Sequence, residues 1–226
     1  KKGLTGRKWI FDAIEEWRTG RARHSVRAAS ATTDDRPNSR RAEDCAPYQD
    51  SRLFWLMGAP GVGKSAVAAH LAIHGREVIA VEFCNWQQPG HRHPEQIIRT
   101  LAFQIAPRLP DYRKLLLTLP DLAALDRKNA AELFDYLLAD PLRHAIAGGR
   151  ERHLIVIDAL DEAGGASAVG EAGRNPLVEL LARHAPRLPD WIGLVVTSRP
   201  EFDVKTPLQA SNPFPRDNVT AKSALN

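Results

Sequence analysis

Cysteine is nearly absent from this chain. Its two residues, Cys45 in a polar stretch and Cys84 closing an apolar run, can build neither a disulfide framework nor a four-cysteine zinc site. A reducing, cytoplasmic setting is the expectation that follows. No apolar run approaches the roughly 20 residues needed to cross a bilayer, and none near the N-terminus has the make-up of a signal peptide. No membrane partner is therefore expected. The N/T-K-x-D pattern with which GTPases read their base is also missing, so no local motif selects guanine. The chain starts at Lys1 without a methionine and reads as a piece of a larger soluble protein.

What is present is ordinary globular usage. Of the 226 residues, 43% are hydrophobic and 26% charged, which excludes a disordered or collagen-like chain and leaves room for one sizeable core. The formal charge of +4 owes much to arginines between Arg18 and Arg41. No aromatic residues interleave with them, so a solvated loop is favoured over a surface for nucleic acid or acidic lipid. His91, Arg92 and His93 beside Trp86 likewise read as a solvated polar loop, not a metal site.

Four segments emerge along the chain. Residues 1–18 hold a short motif and an amphipathic helix whose apolar positions are Trp9, Ile10, Ile14 and Trp17. Residues 19–50 lose all periodicity and are expected to be a mobile insertion. Residues 51–201 form the core. Beyond Pro200, the prolines Pro207, Pro213 and Pro215 predict an irregular linker over 202–226, leading into something not included in this sequence.

Within the core, short aliphatic runs alternate with helical patterns. Strands are expected at 53–57, 77–84, 153–159 and 192–197, and helices at 65–74, 94–106, 130–144 and 176–184. This βα alternation predicts a mainly parallel sheet covered on both faces, a three-layer α/β/α sandwich.

The strongest motif follows the first strand. Gly58, Ala59, Pro60, Gly61, Val62, Gly63, Lys64 and Ser65 satisfy G-x-x-x-x-G-K-[ST], and a helix-forming run starts at Ala66. A triphosphate is held most cheaply by a ring of backbone N–H groups at a helix N-terminus, which calls for glycine where the chain turns with positive φ. Gly58, Gly61 and Gly63 are the expected suppliers of that freedom. Lys64 would reach the β- and γ-phosphates, and the Ser65 hydroxyl would ligate magnesium.

Two further strand ends carry chemistry. Leu154-Ile155-Val156-Ile157-Asp158 places a carboxylate where ligands bind in open α/β sheets, and Asp158 would hold magnesium through water. Asp161 and Glu162 follow; Glu162 is the first choice of general base and Asp161 the second, with orienting magnesium or capping the next segment as the other roles open to either. Thr197-Ser198-Arg199 ends the fourth strand with a hydroxyl pair and a guanidinium suited to a γ-phosphate.

Together GAPGVGKS, LIVIDALDEA and VVTSRP resemble the signalling ATPases called STAND proteins, most closely the NACHT branch, within the ASCE and AAA+-like class of P-loop folds. The Leu4-Thr5-Gly6-Arg7 motif is similar to that family's N-terminal motif, which implies that Thr5, Gly6 and Arg7 lie by the nucleotide base. The resemblance implies ATP or ADP with magnesium as cofactors, ahead of GTP, and slow turnover subordinate to switching. It also implies assembly into a homo-oligomer on activation, and effector and sensor domains elsewhere in the same chain, as in innate immunity. A remodelling ATPase of the AAA+ type is the alternative; it would need an arginine finger, for which no clear residue stands out and Arg183, before the last strand, is a candidate. A scaffold that holds nucleotide without hydrolysis is a third reading, which the three carboxylates at Asp158, Asp161 and Glu162 oppose.

Overall fold

The computed structural model describes residues 7–19, 51–120, 122–145, 152–163, 174–210 and 218–219. The first helix, α1, is Lys8–Thr19, and its buried positions Ile10, Ile14 and Trp17 fall on one stripe, as their spacing predicts. The proposed insertion lies outside the described residues, apart from Thr19, which closes α1.

Five strands make one parallel sheet: β1 Leu53–Gly58, β2 Val78–Phe83, β3 His153–Asp158, β4 Ile192–Ser198 and β5 Asn218–Val219, in the spatial order β2-β3-β4-β1-β5. The four expected strands are present within a residue or two. β4 lies between the strand before the phosphate loop and the strand that ends in Asp158, as an ASCE-like topology requires. The chain thus has the P-loop α/β/α fold.

Period-2 alternation decides which face each strand residue serves. Phe54, Leu56, Leu154, Val156 and Val195 point to the layer formed by α1 and α2, Lys64–His74. Leu53, Trp55, Met57, Ile155, Ile157, Leu194 and Val196 point to the opposite layer. That layer contains α3 Pro94–Ile105, α4 Pro110–Leu117, α5 Ala130–Leu133, α6 Asp140–His144, α7 Pro176–His184 and α8 Phe202–Ala210. Both faces of the sheet are covered, which explains why its central strands are almost unbroken aliphatic runs.

The structure corrects the expected elements in three places. Directly after Pro200 the chain is helical where a linker was expected: α8 runs through Pro207, and Val204 and Leu208, four residues apart, are fully buried, while Pro213 and Pro215 lie outside the described residues. Pro207 forfeits one backbone hydrogen bond, a loss that apolar burial against α7 outweighs. Next, α4 forms where no element was expected, opened by Pro110 in its first turn and anchored by the buried Tyr112. Finally, the predicted 130–144 helix is continuous but passes through a π-helical stretch, Phe134–Ala139, between α5 and α6. Its Leu137 carbonyl accepts a hydrogen bond from the Tyr112 hydroxyl at 2.7 Å. Burial drives the pKa of that hydroxyl upwards and keeps it a donor.

Trp17 fixes one glycine. A Cβ on Gly193 of β4 would lie 2.5 Å from the Trp17 ring, so only glycine lets α1 approach the sheet this closely. The indole N–H donates to the Ser51 carbonyl at 3.3 Å, and the Arg152 guanidinium lies 4.9 Å from the ring centroid.

Candidate nucleotide site

The parallel register brings three strand ends to one line. Met57 pairs with Ser198 across β1 and β4, and Ile157 pairs with Val196 across β3 and β4. The phosphate loop, Asp158 and the Thr197-Ser198-Arg199 end therefore leave the sheet side by side, at its carboxyl edge. Trp55 of β1 secures this edge from beneath by donating its indole N–H to the Ser198 hydroxyl at 2.8 Å.

In the loop, Gly61 (φ 77°) and Gly63 (φ 84°) adopt the left-handed conformation. Gly58 does not, contrary to expectation: it is the last residue of β1, and its carbonyl accepts from Lys64 Nζ at 2.7 Å. Lys64 Nζ also donates to the Ala59 carbonyl at 3.1 Å. Burial pulls the Lys64 pKa below that of a free lysine, against the opposing pull of Asp161 and Asp158.

Ser65 and Ala66 are exposed in the first turn of α2, and Gly63 caps that helix without any side-chain hydrogen bond. The first-turn N–H groups are thus left for solvent or an anion. This is the observation on which the loop fits a polyphosphate.

Arg7 joins the loop from the other end of the sequence. Its Nη1 donates to the Gly63 carbonyl at 2.7 Å, and a Cβ on Gly63 would fall on the guanidinium. Thr5 and Gly6 lie outside the described residues.

Asp158 is buried at 3% exposure, and its Oδ1 accepts from the Thr197 hydroxyl at 2.5 Å. Thr197 Oγ1 in turn accepts from the Ala159 N–H at 3.1 Å. Ala159 has φ 54°, the one non-glycine residue with positive φ among the described residues. That conformation costs on the order of 1–2 kcal/mol for an L-residue. It turns the chain so that Leu160–Glu162 form a single 3-10 turn, tied to α7 by Asn175 Nδ2 donating to the Leu160 carbonyl at 2.9 Å.

Arg199 closes the site. Its backbone N–H donates to Asp161 Oδ1 at 2.9 Å, its Nε lies 3.1 Å from Asp161 Oδ2, and its Nη2 reaches Glu162 Oε1 at 3.3 Å. Asp161 has both oxygens engaged and a side chain only 6% exposed, whereas Glu162 makes one longer contact and is 28% exposed. The two carboxylates, which the sequence ranks only as first and second choice of base, are unequal in space. Thr197 is the residue of this constellation to which sequence reasoning gave no role. Its hydroxyl at a strand end was visible, but its partner 39 positions away was not.

Among the described residues no cluster of three or more histidine, cysteine or acidic side chains is arranged as a metal site. This is compatible with a magnesium held mostly by water and phosphate oxygens. Arg183, the candidate finger, lies exposed on α7 with Glu179 3.8 Å away.

No curated protein matches the chain. Among solved structures, the Walker-type ATPase paby2304 of Pyrococcus abyssi matches with 21% identity and a TM-score of 0.37, over 66% of this chain and 40% of its own. The chain therefore spans less than half the length of that structure. The family model for Nephrocystin 3, N-terminal matches residues 32–199, roughly three quarters of the sequence and all of the core from β1 to the end of β4. The chain belongs to the Nephrocystin 3, N-terminal family.

Proposed function

We propose that this domain binds ATP or ADP with magnesium and acts as a slowly hydrolysing, NACHT-like switch within a longer protein. The observation that carries the reading is the meeting, at one sheet edge, of an uncapped α2 N-terminus, Lys64, Asp158 and the Arg199 clasp. Gly61 and Gly63 shape the loop, Lys64 offers its ammonium to the phosphates, and Ser65 and Asp158 hold the metal. When bound, the magnesium nucleotide supplies the electrophilic phosphorus and much of the charge neutralisation. Glu162, the less engaged carboxylate, accepts the proton of the attacking water. Asp161 holds Arg199 in place.

The switch reading draws on the same clasp. Arg199 is bound to two carboxylates but is still 43% exposed, so it can exchange a carboxylate partner for a phosphate without crossing the core. Assembly into a homo-oligomer and coupling to effector and sensor domains complete the proposal. Calorimetry of ATP, ADP and GTP with and without magnesium, on wild type and Lys64→Ala, tests it. Binding lost in the variant, with turnover far below one per second, supports the switch. Absence of binding by a longer chain that includes the following region would sink it. Fast turnover with assembly in both nucleotide states would favour the AAA+ alternative.

A further inference from the structure

We propose that Thr197 is the positioning residue of the metal carboxylate: its hydroxyl holds Asp158 Oδ1 and the Ala159 turn together, presetting Asp158 for magnesium. The inference rests on the reading of Asp158 as the magnesium carboxylate and adds a residue to it. Three observations carry it. Thr197 is 1% exposed, so its hydroxyl has no recourse to bulk water. Its one hydrogen goes to Asp158 Oδ1 at 2.5 Å, within the range of a charge-assisted O–H···O⁻ bond. Its lone pair accepts the N–H of Ala159, the residue whose backbone is held at φ 54°.

The arrangement is directional. An ionised carboxylate can only accept, and an N–H can only donate, so a hydroxyl placed between them has a single way to satisfy both. Oδ1 and the backbone immediately after Asp158 are thereby fixed to the same atom of β4. Asp158 Oδ2 has no hydrogen-bond partner among the described residues and is the oxygen left to face a hydrated cation. Partners that orient metal ligands in this way typically change metal affinity by about 10- to 100-fold when removed. Neither Asp161 nor Glu162 can substitute, since both are turned to Arg199.

The test compares wild type, Thr197→Val, Thr197→Ser and Asp158→Asn. ATP binding is titrated calorimetrically across free magnesium concentrations and again in excess chelator. Valine keeps the shape and removes both hydrogen bonds; serine keeps the hydroxyl. The expected result is a magnesium midpoint raised about tenfold or more in Thr197→Val, with chelator-state affinity moved far less, and recovery of the midpoint in Thr197→Ser. An equal loss with and without magnesium would show that Thr197 only maintains the fold, and an unshifted midpoint would show that it does nothing for the metal; either overturns the inference. If Asp158→Asn leaves the midpoint unchanged, the magnesium site itself has been misplaced, a failure distinct from that of Thr197 alone. Should Thr197→Val be recovered unfolded, Thr197→Ala, which relieves packing and admits water, carries the same comparison.

Discussion

Asp161 and Glu162 are adjacent in sequence and chemically alike, yet Asp161 is nearly buried against Arg199 and Glu162 is more exposed, with one longer contact. Glu162→Gln is expected to cut hydrolysis by about 10²- to 10⁴-fold while leaving ATP affinity nearly intact. Asp161→Asn should instead disturb Arg199, altering affinity and turnover together; single-turnover kinetics beside calorimetry separates the two. Gly63→Ala is expected to abolish nucleotide binding, because it meets both a left-handed φ and the Arg7 guanidinium. A further residue-scale expectation concerns Glu82, at 2% exposure, with His91 Nδ1 2.5 Å from its Oε1. Burial raises its pKa above 4.5, and the histidine draws it part of the way back. A raised carboxyl pKa means that the folded state holds the proton more tightly. The resulting stability is full below pH 4.5 and is lost as pH rises through the folded value. Urea midpoints of wild type and Glu82→Gln from pH 4 to 8 should therefore diverge as pH climbs and then run parallel; a constant difference throughout would contradict this.

Elements were legible where their signal was local. The phosphate loop, the acidic β3 end and helix α3 each occupy a few consecutive positions with a pattern that only one structure satisfies. α8 was missed because Pro207 is a local breaker, whereas the burial that overrides it comes from contact with α7, which no window of sequence contains. Leu208→Ala should accordingly cost about 2–5 kcal/mol in urea unfolding, as in the interior of any packed helix. Thr197 was obscure for the same reason, its partner lying 39 positions away, and Arg7, named by resemblance as a neighbour of the base, gave no local sign of its hold on Gly63, 56 positions away. The outer edge of β2 shows a device that no pattern announces. The Gln104 side chain of α3 accepts from the Val81 N–H at 2.9 Å and donates to the Val81 carbonyl at 2.8 Å, standing in for a neighbouring strand. Gln104→Leu leaves that pair unmet and should promote self-association through the edge, visible by light scattering.

At the scale of the whole molecule, one parallel sheet gathers the ends of β1, β4 and β3 into the site, and helices cover both faces of that sheet. The family match begins at residue 32, so α1 stands outside it, yet α1 supplies Ile10, Ile14 and Trp17 to the core beside α2. Burial of those three side chains contributes on the order of 5–9 kcal/mol. Association of two separate bodies forfeits an estimated 4–15 kcal/mol of translational and rotational freedom, so the packing alone would not keep a detached helix in place at micromolar protein. The covalent path through residues 20–50 supplies what is lacking, by confining the helix at high local concentration beside its seat. α1 is in this sense an intramolecular ligand of its own domain, and Arg7 is the part of that ligand that touches the phosphate loop. A protease site engineered near residue 35 would then act as a release catch: one cut in the chain between α1 and β1 frees the helix and takes the Arg7 hold on Gly63 with it.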